Sequence, residues 1–236
     1  MERWALVSGL GGDLEVYEQI QRELKKSRGV ERLFVLGDLI GPKHNSDALL
    51  KRLQEPERGD LQPECIYGWW EEQLLAERGY RGDRTAEALR INHGNDAVEG
   101  LLASVDSGHM TWLASLQFGF IELDCALLHG SSANVGDELK PTSSPLILLD
   151  RLTRLDVNRL FTARSAQQFR LDLNGGAIDS HIKDLNGEQH QQQAVPKRSV
   201  IGIGSGELFS LYAPGSDHIE FLKAGGKPVS RGLGFG

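Results

Sequence analysis

The first forty residues constrain this chain more than any other stretch. Trp4-Ala5-Leu6-Val7-Ser8 reads as a buried strand and Gly9-Leu10-Gly11-Gly12 as a turn. Asp13 then stands as the N-cap of a helix running to about Arg28, with Leu14, Tyr17, Ile20 and Leu24 at helical spacing. Glu15 near its start and Lys25-Lys26 near its end suit the helix dipole, and Gly29 supplies the stop. Leu33-Phe34-Val35-Leu36 is a second buried strand that ends at Gly37-Asp38. Strand, helix and strand in that order make a βαβ unit, which requires parallel strands joined by a crossover helix.

Further along, the pattern predicts helices over Asp47–Gln54, 71–78, 97–105, 110–116 and 145–155. It predicts a third strand over 88–91 ending in Asn92-His93-Gly94-Asn95-Asp96, with a polar stretch over 55–63 left as a loop. Residues 118–123 and 125–128 read as paired strands ending at His129-Gly130, and Arg159-Leu160-Phe161 as one more. After residue 165 come short strands at 169–173, 177–185, 200–203, 208–212 and 219–222, read as a second, largely antiparallel sheet. Gln189–Gln193 reads as a polar loop. One domain is expected over 1–222, with a glycine-rich, frayed tail over 223–236.

Composition removes several function classes. With 33 acidic and 26 basic residues the net charge is −7, and no basic block is present, so nucleic-acid binding is not expected. No apolar run approaches the length of a membrane helix, and the start has no signal-peptide core. Cys65 and Cys125 lie outside any CxxC spacing, which argues against a disulfide scaffold or structural zinc and for a reducing, cytoplasmic setting.

Polar groups at three strand ends carry the chemistry: Asp38, then Asn95-Asp96, then His129, each beside a glycine. Sites in open α/β sheets form at the carboxyl ends of strands, so these groups are expected to converge. Asp, Asn and His are oxygen and nitrogen donors suited to Mn, Fe, Zn or Mg. The alternative is that Asp38 and Asn95 only stabilise turns and His129 only closes a strand.

The order Gly37-Asp38-Leu39-Ile40-Gly41, Gly94-Asn95 and Leu128-His129-Gly130-Ser131 resembles the calcineurin-like metallophosphoesterases. Ser8-Gly9-Leu10-Gly11-Gly12-Asp13-Leu14-Glu15 resembles that family's first motif, usually Ser-Asp-x-His-Gly-Asn-Leu-Glu. The closing strands from Val200 to Phe221 are similar to those of its compact bacterial members. The resemblance implies a four-layer α/β/β/α sandwich of two mixed sheets. It also implies two metals about a bridging Asp, at Asp38. The first-motif ligands fall on Gly9 and Gly11, and the family's Gly-His-Thr-His motif falls on Thr162-Ala163-Arg164-Ser165, so one metal retains only Asp38. The other retains Asp38, Asn95 and His129, with its fourth ligand at Ala163. Asp96, or else His93, stands for the family's catalytic His.

Two metals clamp the attacking and leaving oxygens and acidify a bridging water, so losing one removes both services. Three readings follow. The first is a degenerate member with no cofactor that binds a partner protein or a small phosphorylated ligand, in a binding or regulatory role. The second is a hydrolase of phosphoesters or nucleotides with one divalent metal at Asp38, Asn95 and His129. The third is a metal-free dinucleotide binder that uses the Gly9 to Gly12 turn and sets Asp38 on a ribose. In the first and third, the backbone of Gly9, Gly11 and Gly12 with Arg164 would cradle an anion. Tyr67, Trp69 and Trp70 sit in what looks like an insertion; they read as packing for their own helix, or else as a partner surface.

Overall fold

A computed structural model describes residues 2–81, 86–174, 177–184, 187–194 and 197–225. The opening unit forms as its pattern requires: β1 (Arg3–Val7), α1 (Leu14–Lys26) and β2 (Val30–Leu36), with β1 and β2 parallel. Asp13 caps α1, its Oδ1 accepting the Val16 N–H at 3.1 Å, and Tyr17, Ile20 and Leu24 turn inward. The chain continues through α2 (Asp47–Gln54), β3 (Pro63–Ile66), α3 (Trp69–Glu77), α4 (Glu87–His93), α5 (Asn95–Ala103) and α6 (Met110–Ser115). Then follow β4 (Gly119–Glu122), β5 (Cys125–Leu128), α7 (Pro145–Thr153), β6 (Arg159–Thr162), β7 (Gln168–Leu173), β8 (Ala177–Asp184) and β9 (Gly187–Ala194). The described chain closes with β10 (Arg198–Ile203), β11 (Leu208–Ala213) and β12 (His218–Lys223).

The strands form two mixed five-stranded sheets, in the orders β12-β11-β1-β2-β3 and β4-β5-β6-β10-β7, and β8-β9 pair as a ribbon. The β1, β2, β3 set is parallel, and so is the β5, β6, β10 set. Strand period accounts for the layering. In β1 and β2, Ala5, Val7, Leu33 and Val35 face the helices, while Trp4, Leu6, Phe34 and Leu36 face the other sheet. In the second sheet Cys125, Leu127, Phe161, Ile201 and Ile203 answer across the gap. Ala126, Leu128, Leu160 and Val200 turn outward onto Leu148 and Leu152 of α7. Helices therefore cover both outer faces, and the architecture is the expected four-layer sandwich of two mixed sheets. Trp4 sits 5.6 Å from Phe34 and 5.8 Å from Tyr212, and Phe161 lies 4.8 Å from Tyr212. Aromatic pairs of this kind contribute about 1 kcal/mol each beyond burial, and the Phe161–Tyr212 pair joins the two sheets.

Four expectations are corrected. Residues 88–91 lie in helix α4, where Leu89 is buried and Ile91 is exposed. The third parallel strand is instead β3, which begins inside the stretch taken for a loop; it exists because Leu33 to Leu36 offer it a partner edge. Gln189–Gln193 belong to strand β9, paired with β8. The strands after residue 165 do not form one second sheet: β11 and β12 complete the first sheet beside β1, β7 and β10 complete the second beside β6, and β8 and β9 pair apart from both. Of the expected glycine-rich tail, Lys223 ends β12, Ala224 packs into the core, and 226–236 lie outside the described residues. Among the described residues no helix is long and apolar enough to cross a membrane.

Candidate functional site

The carboxyl ends of β1, β2, β3, β5 and β6 meet at one edge of the sandwich, where the gap between the sheets opens. At the end of β2 the backbone turns through two left-handed residues, Gly37 (φ 75°) and Asp38 (φ 52°). Asp tolerates that conformation better than most residues because its side chain can bond locally. The turn packs against Gly68 after β3, whose missing Cβ leaves room for the Asp38 amide and Oδ1. Trp70 then donates its backbone N–H to Asp38 Oδ1 at 3.0 Å.

Glu71 holds this turn. Its carboxylate is fully buried; Oε2 accepts the N–H groups of Gly68 (2.6 Å) and Asp38 (2.9 Å), and Oε1 accepts that of Ile40 (2.9 Å). Burial and the neighbouring Asp38 charge push its pKa from 4.5 up to about 7, with the backbone donors working against the shift. In the sequence Glu71 stands out only as the first residue of the helix expected over 71–78. The available signal was its spacing: a Glu at the third position of α3, after the Gly68 cap, reaches back to the cap amide.

From the other sheet, His129 follows β5 and is almost wholly buried. Its Nδ1 lies 2.7 Å from the Leu36 carbonyl, so Nδ1 carries a hydrogen. Its Nε2 stands 3.3 Å from Asp38 Oδ2, a close charge contact not aligned as a hydrogen bond. Burial opposes both charges, yet the pair prevails: Asp38 raises the His129 pKa above its usual value. Against its own burial, Asp38 is held below the carboxylate range by His129, the Trp70 N–H and Arg164. Arg164, after β6, donates its backbone N–H to the His129 carbonyl at 2.8 Å. Its guanidinium stacks 4.6 Å from the Trp69 ring centre.

The glycine turn behaves differently from expectation. Gly9, Gly11 and Gly12 all have positive φ, as a turn of this tightness requires. Their N–H groups point inward and donate to the carbonyls of Gly37 (3.0 Å), Asp38 (3.0 Å) and Leu39 (2.7 Å). They lace the end of β1 to the turn after β2, so these three amides form no anion cradle. The Arg164 side chain lies on Trp69, near Asp38. Asn95 and Asp96 sit in the first turn of α5, exposed, because the element before them is a helix and not a strand. Neither hydrogen-bonds to Asp38 or His129. His93 ends α4, exposed, its ring 5.5 Å from Trp69 and 5.3 Å from Trp70. Trp69 is core, as its packing reading expects; Trp70 is half-buried and borders a cleft of about 680 Å³ with His93 and the glycine turn.

No family model and no curated protein sequence matches this chain. Its fold does match solved structures. A metallophosphoesterase from Sphaerobacter thermophilus superposes with a TM-score of 0.63 over 94% of this chain and 88% of that one, at 14% identity. The chain has a metallophosphoesterase fold. A hypothetical protein of Pyrococcus horikoshii agrees at TM-score 0.64 and 14% identity, over 95% of this chain and 88% of its own. A cold-active protein-tyrosine phosphatase of Shewanella agrees at 0.55 and 12%, over 95% and 78%.

Metallophosphoesterase enzymes of this fold usually hold divalent metals, and the side chains at this edge decide whether one fits. Asp38 and His129 are the two donors brought together, and Glu71 spends both oxygens on backbone amides. Among the described residues no group of three His, Cys, Asp or Glu side chains is placed to hold a metal ion. Gly9, Gly11 and Ala163 offer no donor, and Ser205 Oγ fills the space where a side chain at Gly9 would begin. With the Arg164 guanidinium beside them, two donors do not fit a metallophosphoesterase metal centre.

Proposed function

We propose that this chain is a metallophosphoesterase-fold protein that has given up two-metal phosphoester hydrolysis and serves a binding or regulatory role. The observation that carries this reading is the state of Asp38. Its Oδ1 is engaged by the Trp70 amide and its Oδ2 faces His129 at 3.3 Å. The position that would bridge two metals is instead charge-compensated from within, by an imidazole and a nearby guanidinium. A buried carboxylate already satisfied in this way gains little by exchanging those partners for a hydrated cation. The two-metal route needs two cations to acidify a water and neutralise the phosphoryl oxygens, and the donors gathered here offer them no such site beside the Arg164 guanidinium.

The test is calorimetric titration of metal-stripped protein with Mn²⁺, in parallel with Asp38→Ala. No heat of binding in either supports the reading. Micromolar binding that disappears in Asp38→Ala overturns it, and makes this chain a one-metal hydrolase to be assayed on phosphoesters.

A further inference from the structure

The cleft beside the compensated site has a chemistry of its own. Trp70 and His93 form an aromatic corner, their ring centres 5.3 Å apart and their planes at 44°. Trp70 is backed by Trp69 at 4.9 Å, an edge-to-face contact that fixes its position. Gly9, Gly11, Gly41 and Gly206 line the cleft as well, beside Leu10, Val16 and Pro42; Gly41 lies against the Gly11 backbone, and a Cβ on Gly11 would meet nothing within 4 Å. The space of about 680 Å³ therefore presents exposed backbone and aromatic rings together.

The charges at its rim select among ligands. Lys43 shares the lining with Asp13 and Glu207, so the lining carries no net positive charge; Glu207 Oε2 also pairs with Lys223 at 3.0 Å, which leaves Oε1 toward a ligand. The amides that could have taken a phosphate are spent on Gly37, Asp38 and Leu39. Acidic oxygens at the rim accept hydrogen bonds from ring N–H and amino groups and repel phosphate oxygens.

We propose that this cleft binds a neutral, planar heteroaromatic ring carrying N–H donors, of the kind a nucleoside presents, and that it discriminates against the phosphorylated form. The ring stacks on Trp70 and His93 while Asp13 and Glu207 accept from its edge. The inference rests on the binding reading above and narrows it to an unphosphorylated ligand.

The experiment is calorimetric titration with the four common ribonucleosides and with AMP, without added metal. The expected result is that at least one nucleoside binds, that AMP binds more weakly than adenosine, and that Trp70→Leu weakens nucleoside binding roughly tenfold. His93→Ala, at the exposed end of α4, is the second variant and is expected to weaken binding several-fold. Binding by none of the nucleosides, tighter binding of AMP than of adenosine, or affinity unchanged in both variants overturns the proposal. The Mn²⁺ titration keeps the two readings apart. A protein silent to both Mn²⁺ and nucleosides loses only this inference, whereas Mn²⁺ binding that depends on Asp38 removes the reading beneath it.

Discussion

His129 Nε2 stands 3.3 Å from Asp38 Oδ2, and the two residues follow strands of different sheets. The pair closes the gap between the sheets at the edge where the parallel strands end. Both groups are buried, so removing either leaves the other as an unpaired charge in a poor solvent. Asp38→Asn and His129→Gln are each expected to destabilise the fold by about 2–4 kcal/mol. The double variant should cost less than their sum by about 1 kcal/mol or more. Urea unfolding of the four proteins measures this, and strictly additive losses would show that the contact contributes no coupling.

Glu71 offers a sharper substitution. Its two oxygens accept three backbone N–H groups, at Asp38, Ile40 and Gly68. A glutamine has one acceptor and one donor at that end, so Glu71→Gln sets an NH₂ against at least one backbone N–H. A buried donor left unsatisfied costs about 1–3 kcal/mol. Glu71→Gln is thus expected to lose about as much stability as Glu71→Ala, despite its closer shape. A Gln variant as stable as the native chain would mean that the amides find other acceptors.

The glycine turn separates steric from conformational effects. A Cβ on Gly9 would overlap Ser205 Oγ, while one on Gly11 meets open space, and both residues have positive φ. Gly11→Ala should cost about 1 kcal/mol from backbone conformation alone. Gly9→Ala should cost that and a clash besides, and Ser205→Gly should restore much of the difference. Equal losses at the two positions, by thermal or urea unfolding, would contradict the packing described for Gly9. The same crowding bears on engineering, since an aspartate restored at Gly9 has no room until Ser205 is reduced.

The elements legible in the sequence were those whose signals are local. Asp13 caps α1 and the spacing of Tyr17, Ile20 and Leu24 sets its inner face, so β1-α1-β2 could be read off directly. Strand β3 could not: Pro63-Glu64-Cys65-Ile66 is short and mixed, and it is a strand because β2 lies beside it. Residues 88–91 show the converse, an apolar run that looks extended but whose single buried side chain, Leu89, suits one helical face. In the site, Asp38 and His129 were legible because a polar residue beside a glycine at a strand end is informative wherever the sheet places it. The inward turn of the Gly9, Gly11 and Gly12 amides was not, because their acceptors follow a strand beyond the intervening helix. Glu71 was missed for the same reason, since two of its three donors lie across the turn after β2.

The buried groups at this edge also set how stability depends on pH. Glu71 is raised from 4.5 to about 7, so the folded state holds its proton where the unfolded chain has released it. Stability from this group is full below about pH 4.5 and is lost as pH rises to about 7, by up to about 3 kcal/mol. His129, raised above 6.5 by Asp38, adds in the same direction: its contribution is present below 6.5 and lost as pH climbs through its folded value. Asp38 acts oppositely, since its lowered pKa gives stability above 3.8 that fades in stronger acid. The three together place the stability maximum near pH 5, with a decline toward pH 8. Urea unfolding at pH 5, 6, 7 and 8 should trace that slope, and Glu71→Gln, though less stable throughout, should flatten it. A native protein whose stability rises from pH 5 to 8 would rule out the raised Glu71 and His129 as the groups that govern this edge.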